Sequence, residues 1–425
     1  MTIQMVVTLA IVIGMIVMIL SDKFAFGAPP LIACTLLVIT GCSTISEAFS
    51  GFTDKNIVLI AGFMVVMAAL QKTSLFPKVE SIIYNIADKG GKKNFVLLLL
   101  VIMIGSSIMG SAAYYAMVLS LAYTIPYNKN LPISKIFMPL GFASCNPIIP
   151  IKMAGRAAVA ASLLESAGIV GIEVPVLAVA IVKGISSFFF LIWVLIIYRF
   201  LPDHPIADTT ESGEAKKGEA ALALPKWKEY CVYGAFIVTV ICMCFLSKLG
   251  EAGYMVSGLM SAFLFVIGVL NFKEIRENIA SPLIIMMASI IGVAGALANS
   301  GLTTMIGDAV ANALGSNFTP FFVVLIFAVL TSVCATFTGS SLGSVFIFAP
   351  IGISACISMG LNPIALAISC VNAGWINYFM PIDGMPAMVM GMGKYKLTEF
   401  WKFTIPLYII DILATCTVSM LLFPV

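Results

Sequence analysis

Lys152 and Asp383 lie 231 residues apart, each two positions after a helix-breaking proline, Pro150 and Pro381. Both fall inside strongly apolar stretches. A charge at the centre of a bilayer costs about 2.5–3.5 kcal/mol or more, so such residues usually face a cavity and find a partner. An ammonium at Lys152 suits an anion. A carboxylate at Asp383 suits a sodium ion or a proton, or serves as counter-ion to Lys152. Both charges also fit a plainer role, bonded to backbone carbonyls at the breaks or placed at the water boundary. Arg156 follows Lys152 by one helical turn, so the two can share a face. Its guanidinium matches carboxylate, sulfate or phosphate in bidentate fashion, and snorkelling to water suits it equally.

Asn146, Asn372 and Asn377 flank the same breaks and suit either substrate contact or hydrogen bonds between packed helices. Lys183 and Asp411 form a second charged pair, deep in the apolar stretches 174–198 and 403–423. A scaffold role, or an ion pair bridging two halves, fits them better than substrate contact. The only histidine is His204, in a polar stretch. Proton coupling therefore needs a carboxylate, with Asp383 the leading candidate.

The elements that must hold these residues are helices in a membrane. The 425 residues are 61% hydrophobic and 10% charged, with mean hydropathy +1.09. A soluble chain carries about 25% charged residues. Apolar stretches of roughly 17–25 residues recur along the chain and exclude the alternating pattern of a β-barrel. The net charge of +3 comes from loop lysines and arginines, which report topology and not nucleic-acid binding. No CxxC pair occurs among the 10 cysteines, which argues against a disulfide frame or zinc site. Residues 3–20 lack a basic n-region and read as the first mature span.

The spans predicted are 3–20, 28–41, 56–71, 136–165 and 174–198, then 229–248, 254–271, 282–299, 363–393 and 403–423. The polar stretch 201–228 is read as a linker between halves 1–200 and 229–425. "AALQKTSL" at 68–75 matches "GALANSGL" at 295–302, and "PIKMAGRAAV" at 150–159 sits against "PIDGMPAMVM" at 381–390. Internal duplication of this kind marks secondary transporters, with the site at the repeat interface. Lys72, Lys78, Lys89, Lys92 and Lys93 lie in 72–93, while 302–317 carries no Lys or Arg. Equivalent segments thus fall on opposite sides, the lysine-rich one cytoplasmic, so the repeats are inverted. The linker comes out cytoplasmic and both termini external, provided that 94–126 and 318–356 are re-entrant hairpins. Their tips, "MGSAA" and "TGSS", are small and hydroxylic. Backbone exposed there at mid-depth is tolerated only inside protein or along a cavity. Helix ends at the tips suit an anion, and small residues there also suit close helix packing.

The stretch "SEAFSGFTDKNIVLIAGFMVVMAALQKTSL" at 46–75, with "FMPLGFAS" at 137–144 and "GLNPIALAIS" at 360–369, resembles the divalent anion/sodium symporter (DASS) family. The resemblance runs over nearly the full chain. It implies carriage of dicarboxylates, citrate or sulfate, a homodimer, scaffold and transport domains, and an elevator-like motion. The family's Ser-Asn-Thr motif at each tip, which binds carboxylate and helps ligate sodium, falls on Gly110-Ser111-Ala112 and Ser340-Ser341-Leu342. Both Asn and both Thr are absent here. The resemblance makes these tip residues substrate-binding candidates, and chemistry and placement beside the breaks add Asn146, Lys152, Arg156, Asn377 and Pro381. Asp383, with Ser340 and Ser341, is the ion-coupling candidate, with a sodium site near Asp383.

No Walker A loop, HExxH or nucleophile elbow stands where it could act, so neither an ATP-driven pump nor a hydrolase is supported. The expectation is an all-α polytopic protein of the inner membrane, with two inverted repeats of about five transmembrane helices plus one hairpin each. It would be a secondary transporter of small anions, most plausibly di- or tricarboxylates. It needs no cofactor beyond sodium or a proton as coupling ion. A cation/proton antiporter of the same superfamily, and an exchanger or channel-like permease for sulfate or another inorganic anion, are the alternatives.

Overall fold

In the computed structural model the described residues are 2–20, 24, 27–89, 92–109, 114–115, 117–119, 122, 133–149, 153–169, 174–202, 224–302, 305, 309, 319–338, 341–381 and 384–424. Among them every regular element is helical. The first half contains α1 Ile3–Leu20, α2 Ala28–Ile39, α3 Lys55–Gln71, α4 Leu75–Lys89, α5 Lys92–Met109, α6 Ile133–Ala143, α7 Met153–Ser166 and α8 Val176–Ile197. The second contains α9 Lys226–Cys244, α10 Glu251–Val266, α11 Phe272–Ile279, α12 Pro282–Asn299, α13 Pro320–Thr338, α14 Ser341–Ser358, α15 Ile364–Ala373, α16 Gly384–Gly393 and α17 Leu397–Leu422. By length and composition, 176–200, 272–297, 320–338, 341–358 and 397–422 are able to cross a bilayer.

The stretches 136–165 and 363–393 are each split, into α6 with α7 and α15 with α16. The pieces have 11, 14, 10 and 10 residues. At 1.5 Å per residue they span about 15–21 Å, short of the roughly 30 Å hydrocarbon core. Each break therefore lies inside the protein, where a described proline interrupts the helical hydrogen bonds: Pro147 in the first, Pro381 in the second.

Three expectations change in detail. The linker region ends earlier than 228, because α9 starts at Lys226; residues 203–223, including His204, lie outside the described residues. The lysine-rich stretch 72–93 is not a plain loop: most of it forms α4, whose apolar and charged residues segregate to opposite faces. In the second hairpin, α13 and α14 have 19 and 18 residues, about 27–29 Å each. Limb length alone therefore does not make the pair re-entrant. For the first hairpin α5 is the entering limb, and most of 111–126 lies outside the described residues.

Packing pairs recur between the halves. Helix α2 packs on α12 and α3 on α10; α6 packs on α16 and α15 on α7; α8 and α17 pack on each other. The α3–α10 crossing is close because Gly62 has no side chain. A Cβ there would lie 2.5 Å from Ser257 Oγ and 2.6 Å from Gly258 N. Ser257 Oγ donates to Leu59 O at 2.9 Å and Ser261 Oγ to Gly62 O at 2.8 Å, the small-residue and hydroxyl packing expected where lipid supplies no hydrophobic drive between helices. Asp54 caps α3 by accepting from Asn56 N at 2.9 Å and Ile57 N at 3.1 Å. Asn271 and Glu274 form a capping box that starts α11.

Candidate functional site

A cavity of about 500 Å³ lies along α3 between Ile60 and Gln71, against the first break and the start of α7. Gln71 is exposed, and Asn278 of α11 lines the same end. Beside them Lys72 pairs with Glu274 at 2.5 Å and donates to Val269 O at 3.1 Å. Beyond Ile60, the other end of α3 is tied to the end of α7 by Lys55–Glu165 at 2.8 Å. Burial pushes the Asp54 carboxyl there above the usual carboxylate value. Hydrogen bonds from Ile57 and Asn56 oppose this, and Glu165 adds to the rise.

Arg156 projects from the first turn of α7 into the cavity wall. Its Nη1 donates to Asn372 Oδ1 at 2.8 Å, and its guanidinium lies over the Trp375 ring, 4.5 Å from the centroid. Asn372 is fully buried, and its Nδ2 donates to Ile368 O at 3.1 Å, so its oxygen is turned toward Arg156. Arg156 sits on one broken helix; Asn372 and Trp375 sit at the end of the other. Tyr115 and Cys145 lie next to the guanidinium. Among the described residues no carboxylate lies within ion-pair distance of Arg156. The arrangement fixes a cation with open donors at the edge of a cavity, which is the geometry of an anion receptor.

Both hairpins border this space. Ser106 of α5 and Tyr115 line it from the first, and Ser107 Oγ accepts from Ile149 N of the break at 3.0 Å. From the second, Leu342 lines it. The backbone oxygen of Ser341 approaches Gly374 so closely that an added Cβ would sit 2.8 Å away. The start of α14 is thus packed on the second break, at a position where only glycine fits.

Of the residues singled out by sequence, Arg156 lies in the cavity wall and Ser341 against its neighbour Gly374. Asn377 and Pro381 are half-buried in the second break. Asn146 is turned away from the cavity, its Oδ1 accepting from Lys183 Nζ at 2.9 Å. Gly110, Ser111, Ala112, Lys152, Ser340 and Asp383 lie outside the described residues. Lys183 and Asp411 do converge, both buried between α8 and α17. Sequence reasoning missed the aromatic partners Trp375, Tyr378 and Tyr115. The signal for two of them is "GWINYF" at 374–379: aromatic rings with a polar edge where α15 has ended.

The citrate transporter family model matches residues 16–341 and 254–424 of this chain. A segment of 159 residues is 30% identical to the uncharacterized transporter sll0640 of Synechocystis sp., covering 37% of this chain and 26% of that protein. The uncharacterized transporter YfbS of Escherichia coli is 27% identical over 128 residues, 30% of this chain and 21% of that one. The matched segments thus span about a quarter of these relatives' length. Among solved structures, the YdaH transporter of Alcanivorax borkumensis, described as having an unusual topology, superposes with TM-score 0.59 at 15% identity over 89% of this chain and 87% of that one. At that identity the likeness is one of fold. With the family model matching across nearly all of its length, the chain belongs to the citrate transporter family.

Proposed function

We propose that this chain carries small di- or tricarboxylate anions, citrate foremost, across the inner membrane by alternating access, with Arg156 anchoring the anion. The observation that carries the reading is the Arg156 guanidinium. It is oriented by Asn372 and Trp375, is unmatched by any described carboxylate, and stands at the wall of a cavity in the size range of about 300–1,000 Å³ typical of small-molecule sites. Membership of the citrate transporter family supports citrate. Lys152 would add a second cation beside Arg156, and Asp383, with Ser340 and Ser341, would serve sodium or proton coupling. The recurring packing pairs support two inverted repeats, 1–200 and 229–425. They also support an elevator motion in which the broken helices and hairpins move against α3, α10 and α12, within a homodimer. The cavity meets the surface at Gln71, on the lysine-rich side taken as cytoplasmic, so the state described faces inward.

The test is uptake of labelled citrate into proteoliposomes under sodium or pH gradients, with counterflow to separate a carrier from a channel. Succinate, sulfate and phosphate serve as competitors. A carrier accelerates uptake when unlabelled citrate is inside. Absence of citrate uptake and counterflow, with sulfate transported instead, would sink the carboxylate reading. Arg156→Gln transporting like the parent would remove Arg156 from it.

A further inference from the structure

The two breaks are joined by a chain of buried polar contacts that does not line the cavity. In the first break, Asn146 Oδ1 accepts from Lys183 Nζ at 2.9 Å, while Asn146 Nδ2 donates to Phe142 O at 2.9 Å. The next residue is tied to the same helix, Ser187 Oγ donating to Pro147 O at 2.8 Å. In the second break, Tyr378 donates its hydroxyl to the Asp411 carboxylate. Asp411 also accepts from Ser186 Oγ of α8 at 2.8 Å. The Tyr378 ring packs edge-on against Phe142, centroids 5.3 Å apart.

Lys183 is 6% exposed and Asp411 fully buried. Each charge takes its hydrogen bonds from neutral groups, and the two attract each other across the α8–α17 contact. The other titratable groups nearby are Arg156 and Cys145 on the Lys183 side and Tyr378 and Tyr408 on the Asp411 side. The neighbours of Asn146 in sequence, Cys145 and Pro147, line the cavity, as does Trp375, three residues before Tyr378.

We propose that Lys183 and Asp411 are positioning residues: a charge-balanced brace that holds the two unwound segments in register around the cavity, through Asn146 and Ser187 on one side and Tyr378 on the other. Neither touches the transported anion. The charges are opposite because a single buried charge is costly, whereas the pair is neutral. They sit on α8 and α17 because those helices are unbroken, and a rigid frame can position two segments that lack their own helical hydrogen bonds. The part of the proposal that concerns affinity rests on the anion reading above; the part that concerns position does not.

The experiment uses the full chain in nanodiscs with Lys183→Met, Asp411→Asn, the double variant and Tyr378→Phe. Each single charge removal is expected to lower Tm by about 10 °C or to prevent purification, and the double variant to recover most of that loss. Position is read by the rate at which a water-soluble maleimide labels Cys145, quantified by mass spectrometry against Cys334 in the same chain. The brace requires labelling to rise about tenfold in the double variant and to rise measurably in Tyr378→Phe, whose ring is kept. Affinity is read by citrate transport: KM in the double variant rises about tenfold while kcat stays within about threefold. A folded double variant, or Tyr378→Phe if the double variant does not fold, with parental Cys145 labelling overturns the proposal whatever the substrate. Raised labelling in these variants, with a parent that carries no citrate, keeps the brace and discards the substrate.

Discussion

The two breaks occupy matching places in the chain yet do different work. The first, described over 144–149, is followed by the cavity's cation on α7 and leans on α8 through Asn146 and Pro147. The second, described over 374–381, is aromatic. It supplies the ring under that cation, and it leans on α17 and α13 through Tyr378, Ile376 and Phe379: Ser332 donates to Ile376 O, and Trp401 Nε1 donates to Phe379 O at 2.8 Å. One break thus carries charge and the other shapes the place where charge is held. A duplicated scaffold need not duplicate its chemistry. Once both breaks face one cavity, a cation from one side and its cradle from the other make a single asymmetric site.

Removing the charge-bearing side of that division should have the largest effect. Arg156→Gln lowers kcat/KM for citrate by about 10–150-fold, equivalent to the roughly 1.5–3 kcal/mol of a charge-assisted hydrogen bond. Arg156→Lys recovers only part of this, because the planar fork is lost. Next comes the cradle. Trp375→Leu costs about 0.5–2 kcal/mol of cation–π stabilisation and raises KM by roughly 2–30-fold, and citrate binding to the parent changes Trp fluorescence in a way this variant lacks. The breaks also differ in what their asparagines hold. Asn146→Ala leaves the buried Lys183 without its partner in the break and destabilises by about 1–3 kcal/mol, whereas Asn377→Ala changes thermal stability by about 0.5 kcal/mol or less. Equal effects for the two asparagines would erase the contrast drawn between the breaks.

The smallest effect lies at the Lys55–Glu165 end. Glu165→Gln removes a partly exposed ion pair worth about 0–1 kcal/mol, and it also removes the carboxylate that faces Asp54. Because the Asp54 value is raised in the folded chain, the folded state holds the Asp54 proton to higher pH than the unfolded state. Stability at this end therefore falls as pH rises through the folded Asp54 value. Glu165→Gln reduces that slope, which thermal unfolding between pH 4 and 8 would measure.

Much of the fold was legible because lipid imposes a strong pattern. Runs of apolar residues mark α1, α2, α8 and α12 nearly to their ends and α17 to within six residues of its start, and Pro150 and Pro381 mark the interruptions between α6 and α7 and between α15 and α16. The surface helices α4 and α11 were missed because only half of each is apolar, which lowers their mean hydropathy below that of a span. Arg156 was legible as a candidate site residue from its chemistry and its position near a break, and the structure places it in the cavity wall. Its partners were not. Asn372 is 216 residues away, and no local pattern reports a contact at that separation.

The sequence by itself determined that this is a polytopic helical membrane protein with two interrupted helices and charges placed beside the interruptions. Hydropathy and proline act locally, so they can be read locally. Only the tertiary structure decided that Arg156 lies on Trp375, that Asn146 serves Lys183 rather than the cavity, and that Asp411 holds Tyr378. Those outcomes depend on which helices pack together. That is settled by small-residue contacts such as Gly62 on Ser257 and Gly374 on Ser341, whose fit exists only once distant segments meet.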